Sequence, residues 1–530
     1  MLGRQSPQRD IFDVGNVFPL ELRPKSFHAQ LAKVSPTLFS DDEFAALYCS
    51  SNGRPSVPPS QLALLMILQT YHGVSDLEAV DRSGYDLRWC AILGRAGGSP
   101  LCAKSTLQLF RAQLIVHEQY GLLFKRSLEQ ARKNGLLKGQ EIKAALDTKP
   151  ILGRGAVEDT YNLLATGMLQ LARALAKQQQ IKLPEFLAKH DLDRLAAPSV
   201  KGSADINWAD EVARETFLTG LVADARKLMA AADGSVPRIK EAAQLLEQIL
   251  LQDIEEHLHG GNASIKKGTV KGRVPSATDP EQRHGRKSAK KRFTGAKASV
   301  AADPQTGLIL ATEVLSGDSG DAAGSVELVE QAEANTGCEV TEVLADCAYG
   351  GGPTRQEFAD AGRKFFAKVP STAGGQYFPK KAFRIELPVE GQSLELTRVT
   401  CPAGAVAGYL STETGGGVTF YFDDHCHGCD LRTGCTGSKH GRSLHIHAQE
   451  RMISGARLLQ ESPAGRAKLR QRLVVENSLA RLAAYGVGQA RYIGHKKTRF
   501  QLSTAAAVVN LRRIWNWSAA QESSTGAAAA

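Results

Sequence analysis

Two kinds of apolar spacing alternate along the chain. Over 163–175, 208–228 and 239–258, apolar residues recur every three or four positions, which predicts amphipathic helices. Over 142–146, 296–302, 308–315, 340–345 and 364–369 they come as short runs bounded by turn residues, which predict strands. The first third reads as helical. Ser40 and Glu43 have capping-box spacing. Pro58-Pro59-Ser60 opens a helix with the apolar run 62–68, which Gly73 ends. Ser75 and Glu78 cap a third helix, closing near Gly84. Helix, glycine turn, helix is the outline of a DNA-binding helix-turn-helix, with Arg82, Arg88 and Arg95 close by. One long helix is predicted over 105–132, stopped by Lys133-Asn134-Gly135.

The order of elements after residue 135 is informative. A strand is followed by an all-helical detour over 160–260, then a hairpin joined by Asp303-Pro304-Gln305-Thr306-Gly307. Next come a helix over 321–335, a strand, a helix over 353–361 and a further strand. A segment over 371–450 carries clustered cysteines, and a helix over 464–485 follows it. Without the two insertions this is three strands, helix, strand, helix, strand, helix. That is the order of an α/β, ribonuclease H-like core with a mixed sheet. The domain plan is a helical N-terminal domain (1–135), a catalytic core (136–517) and a low-complexity tail (518–530) expected to be disordered.

Three acids fall where such a core would gather them. Asp147 ends the first strand, which Pro150 is expected to stop; Asp346 ends the fourth; Glu476 lies on the last helix. Phosphodiester cleavage by water or a 3′-hydroxyl is an in-line displacement. Two hard cations, Mg2+ or Mn2+, held by carboxylates can activate the nucleophile and stabilise the leaving oxygen. Each acid also has a plainer reading. Glu476 can pair with Arg472 one turn earlier. Asp279 reads as a turn residue, Asp321 as a helix N-cap, and Asp159 as a cap or a helper of Asp147.

Charge and cysteines refine the picture. The net charge of +10 favours a polyanionic partner. Seven cations fall within 283–297: Arg283, Arg286, Lys287, Lys290, Lys291, Arg292 and Lys297. They precede or begin a strand of the proposed core, so the run is expected to meet DNA phosphates rather than only solvent. The first residues lack the apolar core of a signal peptide, and no run of about 18 apolar residues appears. A cytosolic chain without a membrane partner is expected, in which cysteines are thiols or metal ligands. Cys401, Cys426, Cys429 and Cys435 suit one structural, tetrahedral Zn2+.

Four stretches together resemble a known family. They are 58–94; Leu146-Asp147-Thr148 with 153–161; 278–287 continuing to Leu344-Ala345-Asp346-Cys347-Ala348-Tyr349-Gly350; and 472–510 with Arg491-Tyr492-Ile493-Gly494. The chain is similar there to the DDE-type transposases of bacterial insertion sequences, in particular the insertion sequence 1182 group. The resemblance implies metal binding by Asp147, Asp346 and Glu476. It also implies DNA contact by Arg472 and Arg491, binding of terminal inverted repeats, end cleavage and strand transfer. A homo-oligomeric synaptic complex and a nucleoid-associated cytoplasmic location follow from it. The related pattern around the last acid is Tyr, two residues, Arg, three residues, Glu, six residues, Lys. Arg472 and Glu476 fit it, while Leu469 and Ala483 replace the Tyr and Lys. A stand-alone nuclease and an inactive, domesticated DNA-binding protein are the alternatives.

Overall fold

A computed structural model describes residues 1–6, 11–17, 22–50, 52–256, 262–268, 270–288, 290–369 and 375–528. Gly260 and Gly261, residues 371–374 and the last two tail residues lie outside them.

The centre is a mixed six-stranded sheet. Its strands are β1 (Glu141–Leu152), then, after a small hairpin of β2 (Ile254–Glu256) and β3 (Ala263–Ile265), β4 (Arg283–Arg286), β5 (Arg292–Ala302), β6 (Ile309–Ser316), β7 (Glu339–Ala345) and β8 (Lys364–Ala367). β1 lies between β5, antiparallel, and β7, parallel; β8 continues parallel beyond β7. β4 and β6 both pair antiparallel with β5, on successive stretches of it. Ala144, Ala145 and Leu146 are all fully buried, as expected of a strand covered on both faces.

Pro150 does not stop β1. The strand runs on to Leu152, with Pro150 opposite Lys297 of β5. Pairing with β7 ends at Ala145, so beyond it the other side of β1 is an edge. The Leu152 N–H points to that side, where it meets the Gly488 carbonyl. Residue 150 shares its direction, so the missing proline N–H costs no ladder bond.

The helices before the sheet match their start signals. Ser75 Oγ accepts from Glu78 N ahead of the helix Asp76–Tyr85, and Gly73 caps the helix Pro59–His72 in the left-handed region at φ 66°. The capping box at Ser40 opens a 3-10 helix, Asp41–Leu47. The long helix expected over 105–132 is two helices, Lys104–Val116 and Leu122–Lys133. Between them Glu118 takes φ 55°, and the reversal lets the second helix pack on the C-terminal helix. Apart from a small cluster of Val14, Cys90 and Ala91, most of the buried apolar residues described in the helices before residue 135 belong to the core of the sheet. Phe27, Ile67, Trp89 and Leu128 share one continuous cluster with the sheet and with Ala506, Val508 and Trp515 of the last helix. That helix spans His495–Ala528, so it takes in most of the tail expected to be disordered; the tail has no proline to stop it. Asn510 ties it to the sheet by accepting from Ile309 N and donating to Ile309 O.

Both insertions have their own cores. The first runs past residue 260 and is not all helical: β2 and β3 close it, and Val274 and Ala277 are buried in its cluster. Arg273 bonds the buried Asp253, which holds this closing segment in place. The second has strands β9 (Arg384–Glu386) and β10 (Arg398–Thr400), paired with each other, and β11 (Tyr409–Thr412), β12 (Val418–Tyr421) and β13 (Ser443–Ile446) in a second sheet. Phe383, Val399, Phe420, Phe422 and Leu444 form its core, together with Cys426 and Cys435.

Candidate active site

Two aspartates come to the same end of neighbouring parallel strands. Ala145 of β1 is in register with Leu344 of β7. Carrying that register two residues further sets Asp147 beside Asp346, the first residue after β7, and neighbouring strands lie about 4.8 Å apart. Asp147 Oδ1 accepts from Thr148 N at 2.7 Å, and Asp346 Oδ1 accepts from Ala348 N at 2.8 Å, capping the turn Cys347–Tyr349. The third acid arrives on the helix Leu473–Ala484, which packs on β1 and β5. The single helix expected over 464–485 is broken here. Pro463–Arg470 is a separate helix, and Arg472 stands at the junction. Lys468 of the first helix and Lys143 of β1 both bond Glu342 of β7, which anchors the junction to the sheet.

Burial, above all, pushes the Asp147 carboxyl up to about 6. The Thr148 N–H and the Arg472 charge pull it down, while Asp346 and Glu476 push it up. The three acids and Arg472 therefore share one electrostatic neighbourhood. Glu476 is 46% exposed, and its Oε1 accepts from Arg472 Nη1 at 2.8 Å, so the helix-surface pair is formed as well.

Tyr349 lies beneath the aspartates and is a residue the sequence reading gave no role. It is 1% exposed, and its hydroxyl makes no well-formed hydrogen bond, although Ser299 is near enough to pull its pKa down slightly. Burial chiefly, then Asp147, Asp321 and Asp346, hold the phenol well above its usual range. The signal was Asp346-x-x-Tyr349: one 3-10 turn returns the ring under the carboxylates.

The basic run divides. Arg286 and Lys287 on one side and Lys290, Lys291 and Arg292 on the other form the exposed end of the β4–β5 hairpin, closed by Lys287 N donating to Lys291 O. Among the described residues none of these five pairs with an acid. Arg292 is eight residues from Val300, the partner of Asp147, so the tip stands roughly 26 Å along β5 from the acids. Arg283 is half-buried and bonds the Pro280 carbonyl. Lys297 is buried, 2.7 Å from Asp321. Asp321 is therefore an ion-pair partner and not an N-cap; the helix Ser325–Thr336 begins after Gly324.

Arg491, also expected on DNA, is 35% exposed and has partners within the chain. Its guanidinium donates to the Val74 carbonyl and to Asp76, which Arg111 grips at 2.7 Å. Asp159 is a cap: it accepts from Tyr161 N and Asn162 N at the start of the helix Thr160–Gln178. Asp279 makes the expected turn, its carbonyl accepting from Gln282 N, and is almost fully buried.

In the second insertion the thiols of Cys401, Cys426 and Cys429 are near enough to raise that of Cys435, after burial, the largest cause. Arg442 N donates to Cys426 Sγ at 3.4 Å. Among the described residues, however, no group of three or more His, Cys, Asp or Glu side chains is set to hold a metal ion, at the acids or at the thiols. The donor chemistry is of the right kind at both places, hard oxygens at one and soft sulfurs at the other. No helix among the described residues is long and apolar enough to cross a membrane.

Two family models match the chain. One, described as a transposase DDE domain, matches residues 400–515. The other, described as a transposase domain (DUF772), matches residues 20–113. These matches support an insertion-sequence DDE transposase. The DDE match takes in the thiols, the Arg472–Glu476 pair and most of the buried part of the C-terminal helix, and the other takes in Asp76 and Arg111. Asp147 and Asp346 lie outside both matches and come to Glu476 through the sheet. No curated protein and no solved structure matches the chain.

Proposed function

We propose that this chain is a transposase of the insertion sequence 1182 kind, with a ribonuclease H-like core that cuts DNA at transposon ends and joins 3′-hydroxyl ends to a target. The observation that carries this is the register between β1 and β7, which sets Asp147 beside Asp346 under the helix bearing Glu476. The strand order β6–β5–β1–β7–β8, antiparallel then parallel, supports the core assignment.

Asp147, Asp346 and Glu476 would hold Mg2+ or Mn2+, which supplies charge for activating a hydroxyl and stabilising a leaving oxygen. The chain's own part is placement. β1 holds Asp147 on backbone paired with β5, and β7 delivers Asp346 at its end. Tyr349 excludes water from below. Arg472 keeps a positive charge beside the acids and turns Glu476 toward itself. The hairpin of Arg286, Lys287, Lys290, Lys291 and Arg292 would follow the phosphates of the bound duplex. Cys401, Cys426, Cys429 and Cys435 would be the thiolates of one structural Zn2+. Pairing of two DNA ends would need at least two copies of the chain, acting on the bacterial nucleoid.

The test is incubation of the purified chain with labelled DNA spanning the ends of its own element, with Mg2+. Cleavage and joined products are expected. Cleavage without joining would favour the stand-alone nuclease, and binding without either would favour a domesticated DNA-binding protein.

A further inference from the structure

A cavity of about 280 Å³ lies between the helix Gly352–Asp360, strand β8 and the helix Glu450–Glu461. Its walls are largely apolar, with Phe365 and Phe366 on one side and Met452, Ala456 and Leu459 on the other. Arg355 and Arg363 line it too, and among the described residues no acid does.

Arg355 is 6% exposed and forms no ion pair among the described residues. Its Nε donates to the Gly350 carbonyl at 3.1 Å and its Nη2 to the Ala367 carbonyl at 2.7 Å. The Phe365 ring centre lies 5.6 Å from the guanidinium. Nη1 has no hydrogen bond among the described residues, and Nη2 keeps a second N–H. Those two nitrogens form the end of the fork that grips a carboxylate through parallel bonds. Arg363 repeats the pattern: its Nη2 pairs with Glu333 at 2.8 Å, while its Nη1 is buried with no partner. Burial alone pulls the Arg355 pKa below its usual range, because two carbonyls and a ring do not replace a counter-charge.

Size and chemistry together select an occupant. The volume sits at the lower edge of the roughly 300–1,000 Å³ of small-ligand sites. A carboxylate would meet the open end of Arg355, and the apolar walls would take a hydrocarbon body. Inorganic phosphate would use the guanidinium and leave the walls bare.

We infer that this cavity binds a small organic monocarboxylate, with its carboxylate on Arg355 and its aliphatic or aromatic body against Phe366, Ala456 and Leu459. The same guanidinium holds the carbonyl of Gly350, which ends the turn begun at Asp346, so the site adjoins the acids without sharing a residue with them. Binding there needs neither DNA nor Mg2+ and stands independently of the transposase reading.

The test is calorimetric titration of the full chain, in chelator and without DNA, with benzoate, benzyl alcohol and inorganic phosphate. Benzoate is expected to bind one to one and about tenfold tighter than either of the others, the size of one charge-assisted contact. Arg355→Gln should remove that preference. Because Arg355 is buried and its loss can unfold the chain, Gly455→Leu is the second variant. Gly455 lines the cavity, and a Cβ added there meets nothing within 4 Å, so leucine fills the space with both arginines in place. That variant should keep its melting curve and lose benzoate. No binding of benzoate by the folded, unaltered chain overturns the inference. Benzyl alcohol binding as tightly would show an apolar void only, and phosphate binding as tightly would show an anion site without use for the walls; either result overturns it. So does benzoate binding that survives in Gly455→Leu.

Discussion

The acids and the thiols, the two groups suited to metals, are built in opposite ways. Asp147, Asp346 and Glu476 come from distant parts of the chain and are set by a sheet whose strands are buried on both faces. The thiols come from one short stretch, on loops and one-turn helices over a small core. In that core Cys426 and Cys435 are themselves part of the buried surface. The acids stand on a frame of buried strands, whereas the thiols lie in a small core of which two of them are part. A core that small buries little apolar surface to offset chain entropy, so the proposed zinc would matter more to folding there than a metal would at the acids.

The largest expected effect tests the first half of that contrast. Asp147→Asn, Asp346→Asn or Glu476→Gln should each lower Mg2+-dependent cleavage by roughly a thousandfold, with the circular dichroism spectrum unchanged. A variant that unfolds would show that the acids also hold the sheet together. The second half is tested by Cys426→Ser or by a zinc chelator. Protease cuts should appear within 375–446 while hydrogen exchange in β1, β5 and β7 stays slow. Exchange that quickens in both places would erase the contrast.

A smaller effect concerns pH. The Asp147 carboxyl titrates near 6 in the folded chain, above its ordinary value near 4. The folded state thus holds this proton longer than the unfolded state does. Stability from this group is present below pH about 4 and is lost as pH rises through about 6. Melts in chelator should fall over that window by at most about 3 kcal/mol. Asp147→Asn should flatten the dependence, and a curve equally steep in the variant would assign it elsewhere. The smallest effect tests the arm of the same sheet. Lys290→Ala with Lys291→Ala should reduce the salt slope of DNA binding by about two and leave the melting curve in place. An unchanged slope would remove the hairpin from the DNA path.

Some of this was legible in the residues. An apolar run ending in Asp147, and another ending in Asp346, already marked acids at strand ends. Gly73 and Ser75 announced their caps, because capping is a bond between a residue and its own next turn, whereas Asp159 read equally as a cap and as a helper of Asp147. Pro150 misled because a proline reads as a stop until the missing neighbour on that side of β1 is known. Lys297 read as one more cation of a DNA-binding run, yet strand alternation turned it inward to Asp321. Arg491 read as a DNA contact, and its pairing with Asp76, more than four hundred residues earlier, could not be read from the residues around it.

By itself, then, the sequence determined most elements and their order, several of their caps and which acids stand at strand ends, since those depend on neighbours a few residues away; the breaks within 105–132 and 464–485 did not show in it. The tertiary structure alone decided that Asp147 and Asp346 are side by side, that Arg355 is buried beside an apolar cavity, and which cations are left for a ligand. These depend on strand register and on which face of each element is buried. Both are set by packing between residues that no local pattern brings together.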